Sequence, residues 1–205
     1  SQPLLDNTGG KFGPFAGQLF IGEMDYPRLV RLLMEEVNGQ MQGACVAFGD
    51  GTGLLKGNNR LVFDKNGDLW VGHNDHGWVG DEGLSRIHWK GKTPLDIMAM
   101  HLTSDGFELT FTLPVDPKIA SDPTLYKFQR YYYKYHRVYG SPKTDVADVA
   151  IKEVKVSPDG RKVTFKLAEL KAGYVYDLKM GELQTPGGQL LMNRAVFYTL
   201  NQLKK

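Results

Sequence analysis

The sequence predicts an all-β chain, with two blade-like units of short strands over residues 1–95 and an antiparallel sandwich over residues 96–205. Three observations predict it. A seven-residue pattern recurs along the first half. The second half alternates apolar and polar residues, as half-buried strands do. And 24 glycines with 10 prolines among 205 residues supply more turns than a helix bundle uses.

The repeat organises the first half. Gly17-Gln18-Leu19-Phe20-Ile21-Gly22-Glu23 matches Gly67-Asp68-Leu69-Trp70-Val71-Gly72-His73 at an offset of 50, and Leu29-Val30-Arg31-Leu32 matches Leu84-Ser85-Arg86-Ile87 at an offset of 55. Each unit carries a short strand, a polar loop and a second strand. Units of roughly 40–50 residues built this way are the signature of β-propeller blades. Arg60–Phe63 and Asp68–Gly72 flank the Asp64-Lys65-Asn66-Gly67 turn, whose Asn-Gly supplies the positive φ of a hairpin. Arg28–Val37 has helical propensity, but the repeat places it opposite Leu84–Trp89 and so predicts strand. At least about three blades are needed for stability. Two blades therefore imply a cut from a longer propeller, a partner chain supplying others, or cover from the second half.

In the second half Phe107–Leu113, Ile151–Val156, Lys162–Leu167, Tyr174–Leu178 and Val196–Leu200 read as strands. Ser157-Pro158-Asp159-Gly160 and Thr185-Pro186-Gly187-Gly188 are turns, and Lys90–Thr93 before Pro94 is the linker.

Composition excludes several functions. The net charge of +2 gives little electrostatic footprint for nucleic acid, and no apolar run reaches the ~20 residues of a membrane span. The single Cys45 excludes a disulfide framework and a Cys-rich zinc site. Its apolar setting, Ala44 to Phe48, reads as a buried thiol. There is no phosphate-cradling glycine loop, no G-x-S-x-G elbow and no H-E-x-x-H.

Three segments carry candidate chemistry. In His73-Asn74-Asp75-His76-Gly77-Trp78, His73 and His76 are candidate metal ligands with Asp75 or Glu23, or Asp75 orients His76 as a catalytic base, or the group caps turns. Arg60, after Asn59, offers a fork for a carboxylate, or an ion pair with Glu23 or Asp25. In Tyr126–Tyr139, Tyr131, Tyr133, Tyr135 and Tyr139 share strand parity. That row packs, or stacks against sugar rings, or with the interleaved Lys and Arg meets single-stranded nucleic acid, which the small net charge disfavours.

Asn7–Gln18, Gln42-Gly43-Ala44-Cys45, Asn59-Arg60-Leu61, Gly67–Gly72, Gly77-Trp78 and Gly83–Arg86 resemble the last blades of bacterial glucose/sorbosone dehydrogenase-like proteins. Asp105–Phe111, Pro114-Val115-Asp116, Tyr139–Pro142 and Tyr198–Asn201 are similar to the Ig-like segment that closes such chains. The resemblance implies the C-terminal part of a secreted quinoprotein that oxidises a sugar hydroxyl or aldehyde, not catalytic alone. By it, the catalytic histidine and most cofactor contacts lie in earlier blades, so that His76 and Asp75, the candidate catalytic pair, and Arg60 and Asn59, the candidate PQQ contacts, stand at the rim with His73, and the location is periplasmic or extracellular. Where such relatives carry Arg before Gly-Trp, this chain has His76. The rival is a non-catalytic carbohydrate-binding or scaffolding module using Tyr131, Tyr133 and Tyr135, or a subunit completing a propeller with another chain.

Overall fold

A computed structural model describes residues 1–77 and 79–204. The chain is all-β, its strands forming three antiparallel sheets, and it divides into two compact units. The first comprises residues Ser1–Leu33 and Cys45–Thr93, the second Met34–Ala44 and Pro94–Lys205.

The first unit contains β1 (Pro3–Leu5), β2 (Leu19–Gly22), β3 (Leu29–Val37), β4 (Gln40–Phe48), β5 (Asn58–Phe63), β6 (Leu69–His73) and β7 (Gly83–Ile87). The β3–β4 hairpin turns at Asn38 and Gly39, both at positive φ, and its tip belongs to the second unit. Arg28–Val37 is strand over almost its whole length, despite its helical propensity, because β2 pairs with it in register. That is tertiary override of a weak local preference.

The two sequence echoes fold into the same ladder. β2 pairs with β3 as Leu19↔Leu32, Phe20↔Arg31, Ile21↔Val30 and Gly22↔Leu29. β6 pairs with β7 as Leu69↔Ile87, Trp70↔Arg86, Val71↔Ser85 and Gly72↔Leu84. Every repeated residue meets the repeated partner. β1 adds to the first pair (Leu4↔Phe20) and β5 to the second (Val62↔Trp70, Arg60↔Gly72).

Directly opposed residues share a face of a sheet, so each sheet has two. In the first sheet Phe20, Leu29 and Arg31 form one face, and all three are 0% exposed. The second sheet covers it with Leu61, Phe63, Leu69 and Val71. The Phe12, Phe20 and Phe63 rings interlock at 5.0–6.4 Å. Asn58 stitches the layers by donating from Nδ2 to the carbonyls of Glu23, Tyr26 and Arg28. A Cβ on Gly22 would meet the Asn58 carbonyl oxygen at 1.9 Å, so the approach of β2 to β5 requires glycine. Two sheets stack in this way, and no closed propeller ring exists among the described residues.

The second unit contains β8 (Ile97–Leu102), β9 (Gly106–Phe111), α1 (Pro117–Ala120), β10 (Tyr126–Tyr132), β11 (Thr144–Val149), β12 (Ile151–Val156), β13 (Lys162–Leu167), β14 (Tyr174–Met180) and β15 (Ala195–Leu200). One sheet runs β12-β13-β9-β8, and strands β15-β14-β10-β11 run side by side in another. The alternation at Phe107–Phe111 puts Phe107 between them, 4.9 Å from Tyr198, 5.3 Å from Tyr176 and 5.8 Å from Phe128. Phe165 meets Tyr126 and Phe128 from the same layer as Phe107. The core is therefore aromatic, with two sheets face to face.

Candidate functional site

His73 ends β6 and turns into the inner face of the second sheet, largely buried. Its Nδ1 lies 3.2 Å from the Lys56 carbonyl and its Nε2 2.7 Å from Ser85 Oγ. A carbonyl only accepts, so Nδ1 carries the proton. Burial holds the ring pKa below the ordinary 6.5, against the opposing pull of the Lys56 bond and Asp81. The neutral ring then accepts from Ser85 at Nε2. Both nitrogens are engaged, and His73 pins β6 to β7 and to the loop at Lys56.

Asp75 and His76 lie in the exposed loop beyond β6. Asp75 Oδ1 accepts from the Gly77 N–H at 2.7 Å, an Asx turn, while His76 Nδ1 faces Asn74 Nδ2 at 3.4 Å. Trp78, which completed the motif, lies outside the described residues. Among the described residues no group of three His, Cys, Asp or Glu side chains is placed to hold a metal ion. Cys45 is half-buried, and burial raises its thiol pKa.

Arg60 is exposed on the outer face of β5, where Nη1 donates to Asn59 Oδ1 at 2.7 Å. The Asp64–Asp68 segment is a hairpin turn. Asp64 Oδ1 accepts the Asn66 and Asp68 N–H groups, and Oδ2 accepts from the Trp70 indole at 3.0 Å, the main reason its carboxyl stays below the usual range.

The tyrosine run divides where β10 stops. Tyr131 is buried, yet it lies opposite Val175 and so on the face of the sheet away from the Phe107–Phe128 core. Lys143 Nζ sits 4.0 Å above its ring, and Tyr133 packs edge-on against it at 5.4 Å. Tyr133, Tyr135 and Tyr139 are in the loop, not in a continued strand, and Tyr135 and Tyr139 are 106% and 104% exposed. The Lys134 N–H bonds to Ser141 Oγ and closes the loop's base. Between the tyrosines Lys134, His136 and Arg137 are exposed.

Two features escaped sequence reasoning. The first is a buried cluster in the second unit. Glu35 accepts from Tyr198 Oη, from the Leu102 N–H at 2.7 Å and from His101 Nδ1 at 3.3 Å. Burial alone would raise the Glu35 pKa, but these bonds outweigh it and hold it low; the same contact raises His101. Gln42 adds a bond to Tyr198 Oη and accepts the Asn201 and Gln202 N–H groups. No spacing rule links residues so far apart. The second is an open groove of about 410 Å³ beside β10, lined by Pro123, Tyr126, Phe128, Val149 and Ile151, none of them a candidate named above.

No protein-family model matches this chain, and no curated protein does. Among solved structures, the crystal structure of the S-layer protein rSbsC(31-844) aligns at 22% identity and a TM-score of 0.41, over 53% of this chain and 14% of that one. The N-terminal part of the bacterial S-layer protein SbsC aligns at 22% identity and 0.40, over 53% and 24%. This chain thus spans a quarter or less of either, and a likeness so loose carries no functional argument. It does correct the expected family. The solved structures that match are S-layer fragments and not PQQ sugar dehydrogenases, so the dehydrogenase-like assignment, the sugar-oxidising function and the quinoprotein character inferred from it are withdrawn. No helix among the described residues is long and apolar enough to cross a membrane.

Proposed function

We propose that this chain is a non-catalytic carbohydrate-binding and scaffolding module. The observation that carries the reading is the tyrosine loop. Tyr135 and Tyr139 stand wholly in solvent at its tip, while Tyr131, Lys143 and Ser141 fix its base. A flat apolar ring with a hydroxyl suits the alternating CH and OH surfaces of a sugar. Holding the loop's base in place lowers the ordering cost of a contact at the tip. In this reading Tyr133 and Tyr135 touch the glycan, Tyr139 joins them, and Tyr131 supports them from the end of β10. Residues 1–95 are then two propeller-blade-like units and residues 96–205 an Ig-like sandwich. The setting is outside the cell, where polymeric glycans are displayed.

The test is retention on insoluble polysaccharides. Wild-type protein is expected to be retained, and Tyr135→Ala to lower the affinity about 5–10-fold, the equivalent of roughly 1–1.4 kcal/mol for one stacking ring. Failure of the wild type to bind any polymer, or equal retention of Tyr135→Ala, would refute the assignment.

A further inference from the structure

The first unit is a stack whose two ends are unlike, and the ends match each other. At one end lies the outer face of the second sheet, with Val62, Trp70 and Arg86 in one row and Arg60, Gly72 and Leu84 in the next. Leu84 is 65% and Val62 59% exposed. At the other end lies the back of the first sheet, with Pro3, Ile21 and Val30 in one row and Leu5, Leu19 and Leu32 in the next. Every residue of those two rows is apolar, and Pro3 and Leu5 are exposed.

The repeat states what each face is built to meet. The outer face of the second sheet is the counterpart, residue for residue, of the Phe20, Leu29 and Arg31 face, which is 0% exposed under a neighbouring sheet. The sheet that covers it does so with Leu69, Val71, Ser85 and Ile87. The counterparts of those four in the first sheet are Leu19, Ile21, Val30 and Leu32, which form the apolar back. Laying the back of one molecule's first sheet on the outer face of another's second sheet therefore repeats the interface inside the unit.

The details agree. Gly72, the counterpart of Gly22, leaves bare backbone at the same place, with Arg60 Cβ 3.5 Å from where its own Cβ would stand. Arg31 is buried with its Nη1 on Gln18 Oε1 at 2.6 Å and its guanidinium 3.7 Å from the Phe15 ring. Arg86 is already paired through Nε to Asp68 Oδ2 at 3.1 Å, the counterpart of Gln18, so it would be covered as a neutral pair.

We infer that the chain associates head to tail with a second copy of itself, the back of β1–β2–β3 docking on the outer face of β5–β6–β7. Such an interface is heterologous, and it closes into a ring or runs on as a filament. This inference does not depend on the glycan reading.

The experiment is sedimentation velocity with light scattering on the full chain up to about 100 μM, a concentration that captures even weak specific pairing. Wild type is expected to grow in mass with concentration. Leu84→Glu and Leu5→Glu each replace an exposed side chain at one end and are expected to be monomeric alone, with unchanged circular dichroism. Mixed in equal amounts, they retain one good end each and are expected to give a heterodimer of ~2-fold mass that grows no further. A monomeric wild type overturns the inference. Undiminished association of either variant alone, or a mixture that stays monomeric, overturns it equally. Tyr135→Ala is expected to associate as wild type does, which separates this outcome from that of the sugar test.

Discussion

The β2–β3 and β6–β7 pairs have the same register and opposite environments. Phe20 and Arg31 are sealed under a second sheet; Trp70 and Arg86, their counterparts, look outward, with the guanidinium 5.8 Å from the indole ring. Strand pairing is decided by the pattern within the repeat, whereas burial is decided by what lies over it. Phe12 and Phe15, which help seal the first copy, come from the segment before β2. The residue equivalent to Phe15 is the exposed Lys65. One motif therefore serves as core in one place and as surface in the other.

This contrast makes paired substitutions informative. The largest difference is expected for Phe20→Ala against Trp70→Ala. Emptying the Phe12–Phe20–Phe63 cluster should cost about 3–5 kcal/mol in urea unfolding. Removing the half-buried Trp70 ring should cost under about 1.5 kcal/mol, since much of it already meets water. Equal losses would mean that the outer face is covered in the monomer.

Arginine gives the next contrast. Arg31→Ala removes a buried guanidinium from Gln18 and the Phe15 ring and should cost about 3 kcal/mol. Arg86→Ala breaks an ion pair that is half open to solvent, worth under about 1 kcal/mol. Glycine follows. Gly22→Ala drives a methyl into the Asn58 carbonyl and should cost about 1–3 kcal/mol by forcing the sheets apart. Gly72→Ala meets only ordinary contact distances and should be within about 0.5 kcal/mol of wild type.

The same contrast between pairing and cover separates what is legible in the sequence from what is not. The repeat predicted both ladders, and Asn66-Gly67 and Pro158-Asp159-Gly160 marked turns that the fold contains, with Gly67 and Gly160 at positive φ. The tyrosine row was misjudged because parity was extended past the end of the strand. Pairing of β10 with β11 stops at Tyr132↔Thr144, after a bulge. Beyond Thr144 the partner strand would need an N–H from Pro142, which has none. Gly140-Ser141-Pro142 was the available signal. β1, β4 and β8 were not assigned as strands because they are short, glycine-interrupted or weakly alternating. The Glu35, Gln42 and Tyr198 cluster joins residues more than 150 positions apart, a relation only the folded chain expresses.

The smallest expected effect concerns acid. His73, in the second copy, replaces Glu23 of the first, so the two copies should respond differently to pH. Burial favours the neutral ring of His73, so the folded protein binds its proton more weakly than the unfolded chain does. Between the lowered folded value and the ordinary 6.5, the unfolded state holds more protons, and stability rises with pH. Acidification below about 6.5 should therefore weaken the protein through this residue, and the loss should level off once the folded form is protonated too. The His101–Glu35 pair acts in the opposite sense in the same range, because His101 is raised by its carboxylate partner and stabilises the fold while it is charged. Total stability against pH thus mixes the two. The difference between wild type and His73→Gln, which keeps a side chain able to bond Ser85, isolates the one residue. Urea midpoints measured from pH 7.5 to 5 should converge as the pH falls, the wild type losing more than the variant. Parallel curves would mean that His73 is as open to water in the folded protein as in the unfolded chain, and the inner face of the second sheet would then not be sealed.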